Sequence, residues 1–166
     1  MKDYNGKVRV VYKNMVVHPQ VVTKAHLAGC AAGKQGKFVD FKNQWWEKAY
    51  ANRKFDDDVI NDIAKSIGLD MTKFKADWDS EDCKKLMADD ANELAKFHVN
   101  STPTFFINGQ HVGGALPKDN FKQIIDQKLK IAEASGVSGA EYYDKEIMGK
   151  GEKQFRSKKD PKPAGH

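Results

Sequence analysis

The sequence predicts an α/β fold in which a first strand and a later hairpin bracket a long, almost purely helical stretch. Three observations carry this. Val8-Arg9-Val10-Val11-Tyr12 is a β-branched run of strand length. Between Gly33 and His98 apolar residues recur at helical spacing with no strand pattern among them. Ser101-Thr102-Pro103-Thr104-Phe105-Phe106-Ile107-Asn108-Gly109 then sets a proline at the mouth of a short apolar run and closes it with Asn-Gly, the strongest two-residue hairpin signal.

Each element has its own justification. His18-Pro19 ends the first extended run, because proline biases its predecessor away from helical geometry while itself suiting a helix start. Val22, Ala25, His26, Gly29 and Cys30 follow at helical spacing, with Ala28, Ala31 and Ala32 making this helix apolar on most sides. Gly33 and Gly36 bracket a break. Phe38, Phe41, Trp45 and Ala49 mark the next helix, with Trp46 and Tyr50 beside its stripe; such an aromatic face serves either as core or as the wall of an apolar groove.

Asp56-Asp57-Asp58 invites a metal reading, but three consecutive carboxylates diverge around a helix, whereas a hard cation needs convergent oxygens. They fit the first turn of a helix better, where they complement its dipole ahead of Val59, Ile60, Ile63, Ala64 and Ile67, with Gly68 as the stop. Asp70 caps a short helix to Trp78, and Asp79 or Ser80 caps a long one. On that long helix Cys83, Leu86, Met87, Ala91, Leu94 and His98 form one stripe, His98 lying near its end. After the hairpin, Phe121, Ile124, Ile125, Leu129 and Ala132 are the expected buried face of a closing helix.

At 166 residues the chain is one domain with appendages, able to bury about two thirds of its unfolded surface. Its net charge of +5 is concentrated at the end: Gly149–His166 holds six Lys or Arg against Glu152 and Asp160, leaving the rest nearly neutral. That basic tail reads as a solvated, flexible end, with binding to acidic partners as the other possibility. No nucleic-acid-binding motif, membrane-length apolar run or signal peptide stands in the chain as given. The two cysteines, Cys30 and Cys83, are too few and too far apart for a zinc site or a disulfide scaffold. Each lies mid-helix on an apolar face, so both are expected to be free, buried and unreactive.

Thr102-Pro103-Thr104-Phe105-Phe106-Ile107-Asn108-Gly109, with Phe121–Leu129 as closing helix, resembles the cis-proline loop and last βα segment of DsbA-like thioredoxin-fold thiol-disulfide oxidoreductases. Val8–Tyr12, His18-Pro19, Cys30-Ala31-Ala32 and Gln35-Gly36-Lys37-Phe38 resemble the strand and first inserted helices of the same family, so that the likeness runs over roughly residues 4–134. The resemblance implies a thioredoxin-like α/β domain over residues 1–135 with an all-helical insertion at about 20–98, followed by the basic tail at 136–166. It implies a cis Thr102–Pro103 peptide, with these two residues as the loop that holds substrate. It also implies thiol–disulfide exchange on exported proteins in a bacterial periplasm or cell envelope, without a cofactor or metal.

The redox Cys-x-x-Cys of that family does not occur in this sequence. Exchange needs an attacking thiolate and a second thiol to resolve the mixed disulfide, so the chain is expected to carry no catalytic residue and to be inactive alone. The expectation is therefore the C-terminal portion of such an oxidoreductase, with a non-catalytic module that binds peptides through the Pro103 loop as the alternative. The family strand that leads to Cys-x-x-Cys lies between the Val8 and Thr104 strands. A fold incomplete at its N-terminus is thus expected, and its partners would be an extended peptide or unfolded protein, and a second copy or other chain that completes the sheet.

Overall fold

A computed structural model of the chain describes residues 2–156. Its elements are α1 (Pro19–Lys34), α2 (Phe38–Gln44, continued by wider π-type turns through Trp45–Tyr50), α3 (Asp57–Ser66), α4 (Met71–Trp78), α5 (Glu81–Lys96), β1 (Thr104–Ile107), β2 (Gln110–Gly113), α6 (Lys118–Ala134) and α7 (Gly139–Tyr142, continued through Tyr143–Met148). They divide into two compact units, one formed by Lys13–Glu93 and the other by the chain before and after it.

The Lys13–Glu93 unit is wholly helical, and the reason is local. Pro19 sits in the first turn of α1, Asp56 accepts a hydrogen bond from Val59 N at 2.9 Å to cap α3, and Asp70 accepts from Thr72 N and Lys73 N at 2.9 and 3.1 Å to cap α4. Asp57 and Asp58 occupy the first turn of α3, where their charge meets the positive end of the helix dipole. Small residues on α1 let large ones approach. Ala25, Ala28, Ala31 and Ala32 form a flat face against which Phe41, Trp45, Ile60, Ile63 and Phe74 bury. The Phe38 ring lies where a Cβ on Gly29 would come within 3.4 Å. Phe74 lies between Phe41 and Trp78 with its ring tilted against both, and Trp78 Nε1 donates to Lys24 O at 2.8 Å. Phe41 and Trp45 are core, whereas Trp46 remains 53% exposed.

Two expectations for α5 are corrected here. Cys30 and Cys83 are not free: they form a disulfide joining α1 to α5. Each does lie on a packed helix face, but spacing along one helix carries no information about which helix it faces. The expected stripe also fails at Leu86, which is 42% exposed, and the second buried residue of α5 after Cys83 is Asp90, 2% exposed. Asp90 stands seven residues after Cys83, two helical turns along the same face. A carboxylate is tolerated there because its oxygens are satisfied. Asp90 Oδ2 accepts from Asn14 N and Asn14 Nδ2, both at 2.8 Å, and Oδ1 meets Lys13 Nζ at 3.1 Å.

The other unit is sparser. β1 and β2 form an antiparallel pair in the register Thr104↔Gly113, Phe105↔Val112, Phe106↔His111, Ile107↔Gln110. Asn108 and Gly109 both have positive φ, 43° and 81°, as the turn suited to strand twist requires. The strand expected at Val8–Tyr12 does not form: the β1–β2 ladder is the sheet among the described residues, and Val10, Val11 and Tyr12 are 50%, 61% and 49% exposed. A β-branched run favours extended backbone, but a strand exists only where a neighbouring edge accepts its hydrogen bonds. Side chains hold this end of the chain instead. Tyr4 Oη donates to Asp126 Oδ1 at 2.8 Å, Lys7 Nζ pairs with Glu133 at 2.7 Å, and the Arg9 guanidinium lies 4.5 Å from the centre of the Tyr143 ring. The expected buried face of α6 is half-buried, with no fully buried residue.

Part of the segment expected as a flexible tail is ordered in helix, from Gly139 to Met148. Beyond it Phe155 N donates to Lys96 O at 2.7 Å and the Phe155 ring stacks on His98 at 4.6 Å. His98, with φ of 53°, sits just past the end of α5 and serves this packing. The remainder of the basic tail, from residue 157, lies outside the described residues.

Candidate peptide-binding site

The site expected at Thr102 and Pro103 is an exposed turn leading into β1. Its Thr102–Pro103 peptide is cis, Pro103 O accepts from Gly114 N at 2.8 Å, and Thr104 Oγ1 donates to Ser101 O at 2.8 Å. These bonds fix which side of β1 is free. In an antiparallel pair hydrogen-bonded positions alternate, and both the two-residue turn and the Gly114 bond place Ile107, Phe105 and Pro103 in the bonded set. The N–H and C=O groups of Thr104 and Phe106 therefore point away from β2, and no backbone partner meets them among the described residues. This is an open strand edge starting beside Pro103.

Aromatic rings flank that edge. Phe105 meets Phe121 of α6 edge-on at 4.8 Å, and Phe106 lies against Phe97 at 5.7 Å and His111 at 5.4 Å. Phe105 stays 37% and Phe106 45% exposed, so the edge offers apolar contact beside its hydrogen-bonding groups. An extended peptide can use both, the backbone for affinity and the ring surfaces for side-chain preference.

The chemistry of thiol exchange is not assembled at this loop by the chain's own cysteines. Both are consumed in the Cys30–Cys83 bond within the Lys13–Glu93 unit. The mid-helix placement expected of each holds for Cys30 but not for Cys83, which is the third residue of α5, its N–H donating to Ser80 Oγ at 3.3 Å. Sequence reasoning missed a second polar cluster in that unit. Asn14 Oδ1 lies 3.1 Å from His26 Nδ1, and since the Asn14 amide N donates to Asp90, its oxygen takes a proton from His26: the ring carries hydrogen on Nδ1. Burial holds the His26 imidazole below its ordinary range, and the hydrogen bond to Glu93, followed by that to Asp90, raises Lys13 above its own. Asn14, His26 and Asp90 lie in three separate helical or connecting segments, so no local motif announces them. Among the described residues no group of His, Cys, Asp and Glu is arranged to hold a metal ion, and no helix is long and apolar enough to cross a membrane.

Comparison with known proteins gives three matches. A thioredoxin family model matches residues 1–127. A probable disulfide bond formation protein D of Bacillus cereus is 27% identical over 136 residues, which cover 75% of this chain and 60% of that protein. The ClpXP adapter protein SpxH of Bacillus subtilis is 30% identical over 114 residues, covering 63% of this chain and 36% of that protein. The chain thus spans less than two thirds of the length of each of these curated relatives. No solved structure matches.

Proposed function

Because this chain belongs to the thioredoxin family, α/β with a helical insertion, we propose that it takes part in thiol–disulfide exchange on exported proteins as the element that holds the substrate. The open edge of β1 beside Thr102 and Pro103 carries this reading. An extended or unfolded polypeptide adds to that edge antiparallel or parallel, bonded to Thr104 and Phe106, with Phe105 and Phe106 contacting its side chains. The attacking thiolate is not supplied by Cys30 or Cys83, so no residue of this chain is assigned a catalytic role, and no cofactor is needed for the binding step. The setting that suits the reading is the periplasm or cell envelope, where disulfides form and persist.

A second reading is favoured by the same disulfide and by the relative named an adapter: a module that binds peptides without redox chemistry. One experiment addresses both. Fluorescence anisotropy of a labelled extended peptide, with and without a cysteine, should show saturable binding that Phe106→Pro weakens at least about tenfold by removing the edge N–H, while Phe106→Ala weakens it less. Reduction of insulin disulfides by the chain should stay at background. Equal affinity for both peptides supports the module; preference for the thiol peptide supports the oxidoreductase. Binding unaffected by Phe106→Pro would remove the site.

A further inference from the structure

We propose that the Cys30–Cys83 disulfide is a reducible latch: two electrons from a dithiol release α5 from the helical unit while α1 to α4 keep their fold. The reason lies in how unevenly α5 is attached. The apolar core of the unit draws Ala25, Ala28, Phe41, Ile60, Ile63 and Phe74 from α1 to α4, and no residue of α5 belongs to it. In its 16 residues α5 buries two, Cys83 and Asp90, and both are attached to something other than apolar packing. Cys83 is bonded to Cys30; Asp90 is hydrogen-bonded to Asn14 and paired with Lys13.

Two surface pairs also tie α5, Lys34 with Asp82 at 3.1 Å and Lys13 with Glu93 at 2.6 Å, whose acidic partners are 83% and 52% exposed. Exposed pairs of this kind hold a helix weakly. α1 and α4, by contrast, are welded by the Ala face of α1 against Phe74. Removing one covalent bond therefore removes a large part of what docks α5 and almost none of what holds α1 to α4.

The exchange has a defined direction. Cys30 is half-buried and Cys83 fully buried, so an incoming thiolate reaches Cys30 Sγ. The new bond joins the reductant to Cys30, and the Cys30–Cys83 bond breaks with its electron pair leaving on Cys83, which takes up a proton. The second thiol of the reductant, as thiolate, then attacks the reductant sulfur of the mixed disulfide and frees Cys30, which is protonated in turn. The disulfide is reduced to two thiols and the dithiol is oxidised to a disulfide. Cys83 leaves as a thiolate at a fully buried position, and burial disfavours the charged sulfur while α5 stays docked; undocking exposes the leaving sulfur to water and couples reduction to release. This stands independently of the peptide-binding reading.

The test is hydrogen exchange by mass spectrometry on the full chain, oxidised and after dithiothreitol, with alkylation to count thiols. Reduction under native conditions should yield two alkylated cysteines and lower the protection of amides from Cys83 to Glu93 by at least about tenfold, with α1 and α4 changed less than about twofold. Reoxidation should restore α5. Cys30→Ser with Cys83→Ser should show the open α5 without reductant, and the wild-type titration keeps the test decisive if that variant folds poorly. The proposal is overturned if the bond resists dithiothreitol until the chain is denatured, if α5 protection is unchanged on reduction, or if α1 to α4 lose protection together with α5.

Discussion

Asp90→Ala is the sharpest test of the packing argument, because a buried carboxylate is stabilising only through its partners. Removing it leaves Asn14 N and Asn14 Nδ2 without their acceptor and Lys13 with Glu93 alone. A hydrogen bond to a charged acceptor is worth about 1.5–3 kcal/mol, so the two Asn14 bonds set a gross loss of about 3–6 kcal/mol. Two corrections reduce it. Asn14 is only half-buried, so water regains part of the lost bonding, and Lys13, 39% exposed in its side chain, adds less than about 1 kcal/mol. A net loss of about 3 kcal/mol follows, a large share of the roughly 5–15 kcal/mol available to a typical domain. Trp45, Trp46 and Trp78, the three tryptophans of the chain, all lie in the Lys13–Glu93 unit, so urea unfolding followed by tryptophan fluorescence reads that unit directly. Asp90→Asn, which keeps an acceptor but not the charge, should lose about half as much. A double-mutant cycle with Asn14→Ala should give a coupling of about 1–2 kcal/mol. If Asp90→Ala unfolds within about 0.5 kcal/mol of the wild type, Asp90 does not anchor α5 and the reasoning is wrong.

Three further outcomes are expected. Asp56→Ala should destabilise the helical unit by about 1 kcal/mol through loss of the bond to Val59 N, read as a lower urea midpoint with unchanged slope. Because burial lowers the His26 pKa, the unfolded chain takes its proton first as pH falls. The unit should therefore lose stability on acidification from about pH 6.5 towards the lower folded value, a loss absent from His26→Gln; a unit that gains stability in this window would contradict the burial of the ring. Gly109→Ala meets no atom within 4 Å, so its cost is the φ of +81° alone, about 1 kcal/mol. Amide exchange across Ile107 and Gln110 should quicken accordingly, and unchanged exchange would argue against this turn.

The parts of the fold legible in the sequence are those governed by local rules. Asp56 and Asp70 announce their helices because a cap needs only the next three residues, and Asn108-Gly109 announces its turn because both φ values are set on the spot. Thr102 and Pro103 mark the turn into the open edge for the same reason. What stayed hidden depends on distant neighbours. Val8–Tyr12 has strand chemistry and no strand, since the ladder partner is not a property of the run itself. The apolar stripe of α5 put Leu86 inside and overlooked Asp90, although Asp90 lies on the line through Cys83, because a carboxylate is read as solvent-facing until Asn14 is found beside it. Of the two cysteines expected to be buried, Cys83 is and Cys30 is half-buried, and they were illegible as a pair, being 53 positions apart on different helices.

The Asn14–Asp90 bonds have one more consequence. These residues are 76 positions apart, yet they touch, and they stand where the chain enters and leaves the helical unit. Bringing the ends of a free loop of that length together costs about 4 kcal/mol in chain entropy, and here the closure is made by the insertion's own side chains. The two cut points of the insertion are thus pinned to each other from within. While α5 is docked, the spacing of the two ends is set by bonds within the segment itself, which gives it the properties of a cassette.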